Sequence, residues 1–245
     1  MKKYVVVSTN NNPDYYHYLP YIEKAWNTYG WTVACMVTHD TYLSKLRYNN
    51  PSTIIIQLPR LEMLRTETIA QGGRLLAANY LSHNDLIMTS DIDMLPLSDY
   101  CKPEADKITV HGHDLTDYTY YPMGYTAMMG HKWKEVFGLT GLNDRDFMRL
   151  AREEPICFAE SWEQWWNFDW KLLTEKLKPY KDEIKFIHRG RRADNPFAFG
   201  RIDRGDSMKI IPKPWIDAHC ENEDVRLPAK LSKFLSIFEE VYGKL

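Results

Sequence analysis

Apolar positions along the chain fall into short continuous runs that alternate with longer stretches of helical spacing. Tyr4 to Val7 is continuous and β-branched, which predicts a strand in a sheet buried on both faces. Tyr15 to Tyr29 carries Leu19, Ile22, Trp26 and Tyr29 at helical intervals, and Gly30 supplies the stop. Strands are predicted at Trp31 to Thr38 and at Thr53 to Leu58, the second closed by Pro59. Leu61 to Tyr80 reads as a helix interrupted at Gln71-Gly72-Gly73. Two adjacent glycines cost a helix about 1 kcal/mol each, so a close backbone approach is expected there.

Beyond that helix, Leu86-Ile87-Met88 has the length of a buried strand, and Pro96 ends regular structure after it. Further strands are predicted at Ile108 to Val110 and in the aromatic stretch Tyr118 to Met129. His131 to Phe137 reads as a helix, Thr140 to Pro155 as a polar helix or loop, and Ala229 to Tyr242 as a terminal amphipathic helix. Strands alternating with helices predict an α/β fold with a mostly parallel central sheet flanked by helices. No repeat, low-complexity tract or linker divides the 245 residues, so one domain is expected.

Composition narrows the function. A 44% hydrophobic and 26% charged chain is ordinary for a globular protein. A net charge of −2 gives no bulk attraction to nucleic acid or to an anionic membrane. The apolar start at Tyr4 to Val7 ends at Ser8-Thr9-Asn10, too soon for a signal peptide, and no run reaches the ~18 residues of a membrane span, so a soluble cytoplasmic protein is expected. Cys35, Cys101, Cys157 and Cys220 are far apart, which suits buried thiols, although counting alone leaves two disulfides open.

Candidate chemistry gathers at the ends of the predicted strands. Asp91 and Asp93 follow Leu86-Ile87-Met88 at i, i+2, and on an extended chain both point to one face. Like charges converging on one point call for a cation, so this Asp-x-Asp is read as a divalent-metal site. Ser8, Thr9 and Asn10 follow the first strand, where ligands of open α/β sheets bind; they can contact a nucleotide or make the turn before a helix. His39 ends the second strand and can contact a base or cap its loop. Arg74 precedes the Asp-x-Asp and is either a solvated helix residue or a cation beside a diphosphate. His111-Gly112-His113 lacks a third ligand nearby and is not read as a zinc site.

Four of the 8 tryptophans lie between Trp162 and Trp170, a platform for sugar rings or a packed helix face. Glu160 and Glu163 in that segment share a helical face; Glu163 is a candidate general base or acceptor-hydroxyl partner. Five arginines between Arg189 and Arg204, mixed with aspartates and glycines, suit contact with a nucleoside diphosphate better than a nucleic-acid arm.

The arrangement resembles the GT-A superfamily of nucleotide-sugar glycosyltransferases over about residues 4–220. The matching features are the Val-Val-Val-Ser-Thr-Asn strand and loop, Arg74, the strand ending in Asp91-Ile92-Asp93, Tyr121-Pro122-Met123-Gly124, the Glu-bearing Trp-rich segment and the late His219. It looks most like small single-domain members, including those encoded by large algal viruses. The resemblance implies a nucleotide-sugar-binding half (1–100), an acceptor half (101–228) and a C-terminal helix (229–245). It implies that Asp93 binds Mn²⁺ or Mg²⁺, that Asp91 contacts ribose and often metal, that His219 is the third protein ligand, and that Arg74 contacts the donor; Arg204 of the arginine cluster is added as a donor contact on its residue chemistry. The implied partners are a UDP- or GDP-sugar donor and a glycan or glycoprotein acceptor. One departure is Glu-Ser-Trp-Glu where the family has a compact acidic pair. The alternatives are a phosphatase of the haloacid-dehalogenase type, whose Asp-x-Asp normally lies on the first strand, a non-catalytic carbohydrate-binding protein, and a nucleotidyltransferase, whose Gly-rich N-terminal loop is missing.

Overall fold

A computed structural model describes residues 1–41, 50–112, 120–159, 161, 165–188, 201–202, 217–220 and 228–245, with backbone only at 201–202 and 228–233. Its centre is a seven-stranded sheet built from β1 (Lys3–Thr9), β2 (Thr32–Val37), β3 (Ile54–Gln57), β4 (Leu86–Thr89), β6 (Ile108–His111), β7 (Thr126–Met129) and β8 (Ile184–Ile187), in the order β3-β2-β1-β4-β7-β6-β8. Strands β3, β2, β1 and β4 run parallel, as do β6 and β8; β7 is antiparallel to both of its neighbours. A smaller sheet joins β5 (Met94–Pro96), β10 (Asp217–His219) and β9 (Arg201–Ile202).

The continuous apolar runs are explained by cover on both faces. Val6, Met36 and Ile87 point into one core and Val5, Val7, Val33 and Met88 into the other, all fully buried. Helices α3 (Thr66–Gly73), α4 (Gly130–Phe137), α5 (Asn143–Glu153) and α6 (Phe168–Leu177) contribute to the first core. Helices α2 (Leu19–Thr28) and α7 (Pro228–Tyr242) close the second, where Phe234 and Phe238 meet Tyr18 and Tyr21 edge to face. Each fully buried Val is worth roughly 1.5–3 kcal/mol, so this central ladder carries much of the fold.

Local detail departs from the sequence expectation in five places. The first predicted helix is two, α1 (Pro13–Tyr16) and α2, with Asn12 capping α1 by accepting from the Asp14 N–H at 3.0 Å. The 61–80 helix is α from Thr66 to Gly73 and 3₁₀ from Arg74 to Asn79. Within the described part of the aromatic stretch, residues 120–129, only Thr126–Met129 is a strand, and Tyr125 before it turns at φ +68°. Neither β5, which ends at Pro96 as expected, nor β8 is predicted.

The glycines inside α3 have the expected reason. A Cβ on Gly72 would come within 2.7 Å of Phe168 and 2.8 Å of Phe147, and one on Gly73 within 2.4 Å of Leu58. Bare backbone thus lets α6 and α5 press against α3. All four cysteines are buried; burial pushes the Cys157 thiol up to about 12.

Asp146 staples α5 to the 3₁₀ turn. Its buried carboxylate accepts from Asn79 Nδ2 and Thr140 N at 2.9 Å, Thr140 Oγ1 at 2.9 Å and Gly141 N at 3.1 Å. Burial alone would raise its pKa, and these donors overcome that and hold it below the ordinary range. Asp146→Ala is expected to lower stability by about 2 kcal/mol in urea denaturation near neutral pH. A depressed native pKa contributes stability above the unfolded-state pKa and loses it as pH falls through the native one. The gap between wild type and variant should therefore shrink in acid.

Candidate active site

Parallel β1, β2 and β4 end on one edge of the sheet, and Ser8, Thr9, Asn10, His39, Asp91 and Asp93 lie at or just after those strand ends. Ser8 lies in β1 paired with Met36, Thr9 is buried, and Asn10 begins the loop. Asn10 ties that loop to α3: its Nδ2 donates to Thr66 Oγ1 at 3.4 Å and Glu67 Oε1 at 3.3 Å, while its Oδ1 accepts from Asn12 N at 3.1 Å. His39 lies at the end of β2, its carbonyl accepting from Gln57 Nε2 at 3.4 Å. The ring Nδ1 of His39 is buried and has no hydrogen-bond partner among the described residues.

Asp91 and Asp93 follow β4, but the chain does not stay extended. It turns, with Met94 N donating to Asp91 O at 3.2 Å, and the two carboxylates part. Asp91 faces Arg74, whose Nη1 donates both to its Oδ1 and to the Ser90 carbonyl at 2.9 Å. Asp91 Oδ2 makes no hydrogen bond among the described residues; it lies on the side of Gly124, 3.8 Å from where a Cβ there would stand. Asp93 is buried and faces the other way, 3.4 Å from His219 Nε2.

That second contact depends on the small sheet. Antiparallel pairing sets His219 opposite Met94, and Cys220 N donates to the Asp93 carbonyl at 2.7 Å. The C-terminal helix braces the same strand, since Tyr242 Oη donates to the Pro96 carbonyl.

Arg74 sits at the junction of these pieces. It is only 5% exposed, and its Nη2 donates to Asp169 Oδ2 at 2.5 Å from the first turn of α6. Its Nε donates to the Gln71 carbonyl at 3.4 Å. Burial works against its charge, and Asp91 and Asp169 outweigh that and keep it protonated. Burial pushes Asp169 up to about 6, with Arg74 pulling it down and Asp91 adding to the rise. Asp169 was not anticipated: in sequence it looks like an ordinary acid in a first helical turn.

The remaining candidates divide. Glu160, Glu163, Arg204 and His113 lie outside the described residues. His111 is buried, with ring Nδ1 2.7 Å from the Tyr125 carbonyl. Trp165 is buried under the Arg65 guanidinium at 5.7 Å and beside the half-exposed Trp166. Among the described residues, no three His, Cys, Asp or Glu side chains lie close enough to hold a metal ion by themselves, and no helix is long and apolar enough to cross a membrane. Asp91 and Asp93 thus meet different side chains, Arg74 and His219.

Compared with solved structures, the chain is similar to the galactosyltransferase LgtC in complex with donor and acceptor sugar analogs. The match covers 97% of this chain and 96% of that one, with a TM-score of 0.54 and 13% identity. The chain has a GT-A glycosyltransferase fold. An active-site mutant of LgtC matches over 99% and 100% of the two chains, with a TM-score of 0.52 and 13% identity. The glycosyltransferase GlyE of Streptococcus pneumoniae TIGR4 matches 76% of this chain and 45% of its own, at 12% identity and a TM-score of 0.45. No protein-family profile matches the sequence, and no curated protein matches it. At such identities the likeness is one of fold.

The Arg74 junction carries a stability expectation. Arg74→Met leaves Asp169 buried without its counter-ion, and loss of about 3–5 kcal/mol is expected in chemical denaturation. The double variant Arg74→Met with Asp169→Leu should recover part of that loss, because no orphaned charge remains.

Proposed function

We propose that the chain is a metal-dependent glycosyltransferase that moves a sugar from a nucleoside-diphosphate sugar, a UDP- or GDP-sugar, to a hydroxyl of a glycan or glycoprotein. The observation that carries this reading is the Asp93–His219 pair beside Asp91, at the ligand-binding strand edge of a GT-A fold.

The donor set fits a hard divalent cation such as Mn²⁺ or Mg²⁺. Asp93 and His219 supply an oxygen and a nitrogen 3.4 Å apart, and Asp91 Oδ2 makes no bond within the described protein. Such cations are commonly held by one or two carboxylates with substrate phosphates completing the shell, so a full protein cage is unnecessary. Bound there, the cation would offset the charge that develops on the departing nucleoside diphosphate.

The chain's own residues do the rest of the work. Ser8, Thr9 and Asn10 at the end of β1, and His39 at the end of β2, bind the nucleoside. Asp91 offers Oδ2 to the ribose. Arg74 keeps a cationic environment beneath the phosphates although its guanidinium is largely engaged by protein partners. Arg204 on the diphosphate side, and Glu163 with Glu160 on the acceptor side, complete the assignment on sequence grounds; in this reading Glu163 takes the acceptor hydroxyl proton. Trp166, partly exposed, offers its face to a sugar ring.

Asp93→Asn tests this directly. It should reduce kcat/KM for donor hydrolysis or transfer by about 10²–10³-fold, the loss typical of one electrostatic stabiliser, and remove the Mn²⁺ dependence of UDP or GDP binding in calorimetry. Full activity of Asp93→Asn, or no binding of any nucleotide sugar by wild type with Mn²⁺, would sink the reading.

A further inference from the structure

We propose that Asp169 is a positioning residue for the donor site: by holding Arg74 Nη2 it restricts Asp91 to a one-oxygen contact and leaves Asp91 Oδ2 for the ligand. This rests on the glycosyltransferase reading above.

The argument is geometric. A guanidinium and a carboxylate prefer to meet fork to fork, with two parallel N–H···O bonds. Arg74 and Asp91 do not. Only Nη1 reaches Asp91, through Oδ1, and the same nitrogen also donates to the Ser90 carbonyl at 2.9 Å. Nη2 is turned away to Asp169 Oδ2 at 2.5 Å, and Nε is turned to the Gln71 carbonyl. Asp169 is 1% exposed, so no water competes for that nitrogen. Asp91 is 28% exposed although its Oδ1 is engaged. Asp169 is thus the competitor that keeps the fork from closing on Asp91.

Its placement follows from packing. Phe168, its neighbour in sequence, lies against the bare backbone of Gly72, two residues before Arg74. Helix α6 continues from the Trp165–Trp166 segment, so Asp169 also links the side assigned to the acceptor with the donor-side turn.

Asp169→Leu removes the acceptor at similar volume. It should free Nη2 to pair with Asp91 Oδ2, raising the Kd for UDP or GDP with Mn²⁺ and the donor KM by about tenfold or more, the size expected for one charge-assisted bond, with a smaller change in kcat. Asp169→Asn keeps a neutral acceptor and should weaken binding only by about threefold. In an Arg74→Lys background, which cannot form a fork, Asp169→Leu should add little; a merely structural role would make the two losses additive. Wild-type affinity in folded Asp169→Leu, additivity in the double variant, or a crystal structure of Asp169→Leu with Asp91 Oδ2 still free would overturn the proposal. Should Asp169→Leu fail to fold, Asp169→Asn decides: unchanged affinity with Arg74 released from residue 169 counts against it. If wild type binds neither nucleotide, the function reading fails, and the Asp91 geometry in the variant crystal still decides the positioning claim.

Discussion

A buried guanidinium is the constraint on which this structure turns. Arg74 cannot sit beneath the surface without carboxylates, because desolvating its charge is costly and only close, well-directed partners repay that cost. Its two partners come from different places, Asp91 from the turn after β4 and Asp169 from α6. Satisfying one side chain therefore fixes three elements against one another. The glycines of α3 belong to the same solution, since any side chain at Gly72 would hold α6 too far away.

A second constraint works from the opposite side. Asp93 is held by the strand that follows it, and that strand is completed by β10 from near the end of the chain. The two carboxylates of the Asp-x-Asp are thereby given different tasks. Asp91 is tied to a fixed cation of the protein, and Asp93 lies against the His219 imidazole. A turn separates them, not a strand face, so the motif distributes its charges to two clamps.

The parts legible in the sequence were those governed by local rules. Runs such as Val5-Val6-Val7 announce a strand covered on both faces, and Asp91 and Asp93 stand just after such a strand. The strand edge, the flanking helices and the approach at Gly72 all follow from such signals. Others depend on distant partners. The antiparallel setting of β7, the short β5 and the unpredicted β8 have too few residues to show a period. The 3₁₀ turn at Arg74 is imposed by packing. Asp169 has no local mark, because its meaning lies in an arginine on another helix. His219 likewise stands out only through the resemblance to a known superfamily. Glu160, Glu163 and Arg204 lie outside the described residues.

Because His219 reaches Asp93 through strand pairing and not through its neighbours in the chain, its position is referred to β5, where it stands opposite Met94. Length changes confined to the loops between the two enter mainly as loop-closure entropy, which grows by only about 0.6 kcal/mol for each doubling. Insertions and deletions in the connecting segments are then cheap for this clamp, while a one-residue slip between β5 and β10 is not, since it would send the imidazole to the opposite face. The fold separates a part that must keep its register from parts that are free to change length.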